Sequence, residues 1–362
     1  MRAQLEKFFT REWQQHSGWQ ILLQPCAWLF VALTALRRGF YRIGLFTSSK
    51  ATVPVIVVGN ISVGGTGKTP LVLALVGKLS AQGRRIGIVS RGYARDGRLS
   101  DEAALMSARS TIPVEVNASR IAAVRQLMMK NPATDIVIAD DGLQHYALQR
   151  DIEIAVVDGT RGFGNGYLLP AGPLREGMAR LNAVDCIVVN NTNLNSRVGA
   201  DFETKVVQEP HPIMSLDNGA HSTVTDLQTK TGRPVFEMRY GGENFSQLVK
   251  GQKLSAEQFI HLVSGKRIAA VAGIGNPQRF FSHLENLRIA LHSQNLFPDH
   301  HPFVASDLTA IDADIVLMTE KDAVKCTAFA DPRLWQMQID AILPEAFYEL
   351  IAAKLEKIPH VT

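Results

Sequence analysis

The stretch VPVIVVGNISVGGTGKTPLVLAL, from Val53 to Leu75, constrains this chain most, because it sets a phosphate cradle between a strand and a helix. Val53, Val55, Ile56, Val57 and Val58 read as a buried, β-branched strand that Gly59-Asn60 ends. Across Ser62, Val63, Gly64, Gly65, Thr66 and Gly67 the glycines let backbone N–H groups turn inward around an anion. A helix starting at about Lys68 aims its N-terminus at the same point, and Pro70 is tolerated in its first turn, where the N–H has no intrahelical partner. Lys68 is placed to reach the β- and γ-phosphates of a nucleotide, and the Thr69 hydroxyl to bind Mg²⁺. Ser62 stands where the usual G-x-x-x-x-G-K-[ST] pattern has glycine, which leaves the class of P-loop open but not the triphosphate.

With 362 residues the chain has room for two domains with large cores. A formal net charge of +4, with no Lys/Arg block and no basic-aromatic interleaving, argues against nucleic acid as a partner. Cys26, Cys186 and Cys326 lie far apart without CxxC or Cys/His spacing, so they indicate neither a disulfide framework nor a zinc site, and a reducing cytosol fits. The segment from Trp19 is apolar as far as Leu36, apart from Gln20, Gln24, Pro25 and Thr34, and Arg37, Arg38 and Arg42 follow. A cleaved signal peptide needs a basic start and a small-residue cleavage site, whereas REWQQH precedes this run. As a transmembrane helix the run is marginal and holds a proline. Trp13, Trp19 and Trp28, with the arginine flank, suit a membrane-embedded or interfacial anchor, and an ordinary core helix is the alternative. The expectation is a cytosolic enzyme docked on a membrane.

Beyond the P-loop, Arg85 to Ser90 reads as a strand and Arg91-Gly92-Tyr93 as the loop after it, leading to Asp101-Glu102 at the start of another helix. Acids there serve as helix-dipole partners or, following a second parallel strand, face a γ-phosphate; the residues leave both readings open. Arg120 heads a helix with Ile121, Val124, Leu127 and Met128 on its inner face, and alone reads as a solvated arginine. DIVIADDGLQ, Asp135 to Gln144, is the second strong signal. It ends a short buried strand on Asp140 and Asp141, where P-loop enzymes hold Mg²⁺. A divalent cation offsets the repulsion between neighbouring carboxylates, while a plain Asp-Gly turn explains only one of them. Gln144 and His145 follow within reach. Ile152 to Asp158 and Cys186 to Asn190 are further buried strands, and with helices between them they predict an open parallel sheet. Gly162 to Gly177, rich in Gly and Pro, predicts a lid or substrate rim in which Arg175 suits phosphate and Glu176 metal, or the two a surface ion pair.

Composition shifts after about residue 200. Gln208 to Gly232 predicts a linker with short strands, and a second α/β unit begins at Lys266-Arg267-Ile268, with a glycine turn at Gly273 and Gly275 before Pro277. Phe297 to Phe303 gathers Asp299, His300 and His301 in one loop, too few ligands for a metal and better suited to proton transfer or lid contact. Ala313 to Lys325, ADIVLMTEKDAVK, is a buried strand with charged residues at its exit, an edge that faces the cleft. The division expected is an apolar membrane-associating segment over 1–50, a P-loop domain over 51–205 and a smaller α/β domain over 206–362 closing on the cleft.

In order, GNISVGGTGKTP, SRGY followed by SDE, DDGLQH, LPAGPLRE, AGIGNP, FPDHH and MTEKDAVK, behind an apolar N-terminus, resemble the tetraacyldisaccharide 4'-kinase family. The resemblance covers nearly the whole chain, to about Lys325, and the family too carries a small hydroxyl residue at the Ser62 position. It implies an α/β P-loop fold with a parallel sheet and flanking helices, a second smaller α/β domain and an N-terminal membrane-associating helix. It implies transfer of the ATP γ-phosphate, with Mg²⁺, to the 4' hydroxyl of a tetraacylated glucosamine disaccharide 1-phosphate, forming the lipid A precursor lipid IVA. The partners implied are that acylated lipid and the cytoplasmic face of a Gram-negative inner membrane, with no obligate protein partner. Residue by residue, Lys68 and Thr69 take phosphate and Mg²⁺, Asp140 and Asp141 match metal-site acids, and Arg175 and Glu176 match residues lining the reacting phosphate, Glu176 toward the metal. Asp101 matches the acid that takes the proton from the sugar hydroxyl, with His300 as its partner, and Arg120 a further active-site arginine. Phosphoryl transfer needs positioning and charge neutralisation, and a carboxylate–histidine pair can orient a hydroxyl and accept its proton. Two alternatives are a regulatory or metallochaperone-like P-loop NTPase and a membrane-bound nucleotide sensor without turnover. No motif marks an adenine site.

Overall fold

Short β-branched runs form the strands and the amphipathic segments between them the helices, in a computed structural model that describes residues 9, 12–15, 18–91, 99–190 and 224–359. The helices are α1 (Gln20–Arg42), α2 (Lys68–Ala81), α3 (Asp101–Arg109), α4 (Arg120–Lys130), α5 (Val224–Thr231), α6 (Ala256–Val263), α7 (Pro277–Asn286), α8 (Ala305–Thr309), α9 (Glu320–Cys326) and α10 (Glu345–Glu356). The strands are β1 (Val55–Gly59), β2 (Ile86–Ser90), β3 (Val114–Val116), β4 (Ile136–Asp140), β5 (Ile152–Asp158), β6 (Cys186–Asn190), β7 (Val235–Gln247), β8 (Lys253–Ser255), β9 (Ile268–Ala272), β10 (Ser293–Leu296), β11 (Ile315–Thr319) and β12 (Leu334–Ile342).

These strands join in one sheet, ordered β10-β9-β11-β12-β7-β6-β5-β1-β4-β2-β3, with β8 paired to β7. From β3 to β6 all pairings are parallel, so the ends of β1, β2, β4 and β5 open on one edge, where ligands of such sheets bind. β7 carries the sheet onward: Val235 to Met238 run parallel to β6, and Arg239 to Gln247 run antiparallel to β12. Both faces of the first half are covered. Leu71 and Leu75 of α2 pack on one together with Phe347, Ile351 and Leu355 of α10, so the end of the chain returns to the P-loop half. Leu127 of α4 and Leu227 of α5 pack on the other.

Three expectations change. The described end of the Gln208 to Gly232 stretch is a helix, α5, because Leu227 finds a buried site and the Thr231 hydroxyl closes the last turn on the Leu227 carbonyl at 2.6 Å. Gly92, Tyr93 and residues 191–223 lie outside the described residues. The second half begins before Lys266, with β7, β8 and α6. The core-helix alternative for the apolar N-terminal run fails: α1 buries Gln20 and Ala27, and leaves Ile21, Leu22, Trp28, Leu29, Leu33 and Leu36 exposed.

Candidate active site

Between β1 and α2 the chain forms the expected loop, braced from the side by the LPAGPLRE segment. Ser62 makes an isolated antiparallel bridge with Leu174, the Val63 N–H donates to the Pro173 carbonyl at 2.8 Å, and the Arg175 N–H to the Ile61 carbonyl at 2.7 Å. Within this loop only Gly64 (φ 99°) and Gly67 (φ 94°) adopt left-handed backbone, so position 62 has no need of glycine. That accounts for the departure from the usual pattern. A Cβ at Gly67 would lie 2.3 Å from Asn190 Nδ2 and 2.8 Å from the Tyr240 hydroxyl. Lys68 Nζ stands 3.3 Å from Asn60 Oδ1 and 3.6 Å from Asp141 Oδ1.

β4, flanked by β1 and β2, brings Asp140 to the sheet edge as its last residue. Asp141 follows with φ 49°, a conformation aspartate tolerates, and pairs with Arg175 at 3.0 Å. Asp140 is buried; the Ser90 hydroxyl donates to Oδ2 at 3.3 Å, and Oδ1 has no hydrogen-bond partner. Burial, aided by the Asp141 and Glu102 charges, pushes the Asp140 carboxyl up to about 6 against the pull of Lys68 and Arg120. At Asp141 burial acts the same way, but Lys68 and Arg175 outweigh it and hold the carboxyl below the usual range.

Arg120 is not the solvated arginine its helix pattern suggests. Only 2% exposed, it donates from Nη2 to the Asp140 carbonyl at 2.7 Å, while Nε and Nη1 lack partners, and burial lowers its pKa to about 10. His145 is pushed down to about 4 by burial and then by Arg120, so it is neutral near pH 7. Glu176 is enclosed by Gln144 Nε2 at 3.0 Å, the Tyr146 hydroxyl and Arg180 at 3.8 Å. Among the described residues no three His, Cys, Asp or Glu side chains form a metal cage. The orphaned, buried Asp140 Oδ1 beside Asp141 nonetheless fits Mg²⁺, which takes one or two carboxylates and completes its shell with phosphate oxygens and water.

The second half meets this edge from across a cleft of about 630 Å³. His300, in the loop after β10 with φ 59°, places Nδ1 2.9 Å from Asp101 Oδ2. Asp101 opens α3, whose N-cap Ser100 hydroxyl accepts from the Ala103 N–H at 3.3 Å. The Asp101 hydrogen bond raises the His300 pKa above its ordinary value. The structure thus gathers Lys68, Asp141 and Arg175, sets Arg120 on Asp140, and joins Asp101 to His300. Sequence reasoning missed Arg279, which lines the cleft from α7 and reaches Asp158 Oδ1 at 3.3 Å, and the apolar wall of Leu105, Ile274, Phe280 and Met337. The Arg279 signal lay in GNPQRFF, just past the glycine turn: Asn276 caps α7 and Pro277 starts it, which fixes where its first turn points.

Known proteins resemble this chain along nearly its whole length. The family model described as Tetraacyldisaccharide-1-P 4'-kinase matches residues 19–356. A tetraacyldisaccharide 4'-kinase from Methylobacillus flagellatus is 41% identical over 99% of this chain and 98% of its own length, and one from Aromatoleum aromaticum is 42% identical over 96% of each. A crystal structure of LpxK from Aquifex aeolicus in complex with ATP has a TM-score of 0.69 at 25% identity, covering 93% of this chain and 99% of that one. Family match, near-full-length relatives and shared fold agree with one another: the chain belongs to the tetraacyldisaccharide-1-P 4'-kinase family.

Proposed function

We infer that this protein is an ATP-dependent lipid kinase that transfers the γ-phosphate to the 4' hydroxyl of a tetraacylated glucosamine disaccharide 1-phosphate, yielding lipid IVA. The observation that carries this reading is a P-loop facing, across one cleft, a carboxylate–histidine pair assembled from the two halves of the sheet. In this reading the N–H groups from Ser62 to Thr69 and the Lys68 ammonium hold the phosphates. Arg175 exchanges Asp141 for the γ-phosphate, Arg120 supports the acids from behind, and Asp101 with His300 orients the hydroxyl and accepts its proton. Thr69, Asp140 and Asp141 would hold Mg²⁺, and Glu176 would join them only on releasing its Gln144 or Tyr146 hydrogen bond; the ion when bound neutralises charge on the transferred phosphoryl group. The part of the second half from β8 to β11, which supplies His300, closes over the cleft and keeps water from the phosphate. The exposed apolar face of α1, with Arg37, Arg38 and Arg42 behind it, docks the enzyme on the cytoplasmic membrane surface where a multiply acylated acceptor resides.

The test is transfer of labelled γ-phosphate from ATP, with Mg²⁺ and detergent, to a tetraacyldisaccharide monophosphate. Lipid-linked label that is lost in Lys68→Ala is expected. Label found only as free phosphate would favour an NTPase, and binding of ATP without release would favour a sensor.

A further inference from the structure

Asp101 Oδ2 does not serve His300 alone: the Lys325 ammonium, on α9, lies 3.5 Å from the same oxygen. Lys325 is itself fixed. Its Nζ pairs with Asp322 Oδ1 at 2.9 Å and stands 5.3 Å from the centre of the Phe303 ring. Asp322 is fully buried, and its Oδ2 accepts from the Gly273 N–H at 2.9 Å and the Thr319 hydroxyl at 2.8 Å, so it cannot follow a moving lysine. One turn earlier on α9, Lys321 reaches Glu102 at 3.0 Å and Asp299 at 3.5 Å. Lysines four residues apart therefore meet adjacent acids at the start of α3. A clamp between the two halves accounts for Lys321. It does not account for a lysine only 13% exposed, held by a buried carboxylate against an oxygen that also bonds a histidine.

We propose that Lys325, anchored by Asp322, is a positioning residue that keeps the Asp101–His300 pair in its proton-accepting form at neutral pH. This rests on the reading of that pair as the proton acceptor. A cation beside the shared oxygen favours carboxylate over carboxylic acid and disfavours imidazolium, so its loss makes the resting pair easier to protonate whichever group receives the proton. Burial raises the Asp101 carboxyl, and the His300 hydrogen bond, Lys325 and Lys321 together outweigh it. The other charges facing the pair are Glu102 and Asp299, with Asp322 behind the lysine; Arg109, Glu320 and Asp340 form a separate group where α9 meets β12.

The experiment is the pH dependence of kcat/KM for the lipid acceptor in Lys325→Met, Lys325→Arg and Asp101→Asn, with thermal midpoints. In Lys325→Met the acidic limb moves up by about one pH unit, a loss of about tenfold below the limb and little above it, whereas Lys325→Arg keeps the limb in place. If Lys325→Met does not fold, Lys325→Gln carries the same expectation. A loss uniform across pH, with the limb unmoved while Asp101→Asn is inactive, overturns the lysine's role and leaves the pair standing. An active Asp101→Asn removes the pair itself, and the proposal with it.

Discussion

Asp140 ends β4 with one carboxylate oxygen bonded to Ser90 and the other without a partner. Because burial lifts its carboxyl from 3.8 to about 6, the native protein binds this proton more readily than the unfolded chain does. The stability it contributes is full below the unfolded pKa and is lost as pH rises through the native value near 6. In metal-free protein, Asp140→Asn should therefore raise the unfolding free energy from urea melts at about pH 8, by a few kcal/mol at most, and raise it less at about pH 5, while lipid phosphorylation fails. Equal gains at both pH values would mean that burial of charge is not the cause. The two acids were legible in the sequence because a hydrophobic run ending on Asp-Asp places both at a strand tip. The enclosure of Arg120 was not: a helical period tells which face turns inward, but not that a long guanidinium reaches back to the Asp140 carbonyl.

At the scale of elements, the loop before α2 separates two kinds of glycine. Gly67 has left-handed backbone and no room for a Cβ, whereas Gly65 has open space and no such φ. Gly67→Ala is expected to cost about 1–3 kcal/mol and to abolish ATP binding; Gly65→Ala should leave the thermal midpoint near wild type. Thermal melts and ATP titration check both, and a stable, ATP-binding Gly67→Ala would count against the loop as the cradle. β7 shows why some elements stay illegible. Gly241 lies against Ile342, and Gly242 takes φ 63° beside a register shift at Gln338/Asp340 in β12. The strand is set by partners on both sides, not by its own pattern.

For the whole molecule, β7 is the strand shared by the two halves, and the cleft lies where they face each other. On the outside, α1 is long and apolar enough to cross a membrane but is covered by little protein. Leu29→Glu with Leu33→Glu, at positions 61% and 56% exposed, should lower binding to anionic vesicles by at least roughly tenfold and change folding stability by less than about 0.5 kcal/mol. Vesicle sedimentation and urea melts check this, and unchanged sedimentation would remove the helix as the docking surface. Local spacing and residue type suffice for the parallel sheet of the first half, the phosphate loop and the acids at the strand tip. Packing, and no local pattern, returns α10 to the P-loop half and brings Lys325 to the Asp101 oxygen that bonds His300. The Asp101–His300 contact, across a sequence separation of 199, was expected only through the family resemblance, since contacts of that range depend on packing that no local pattern encodes.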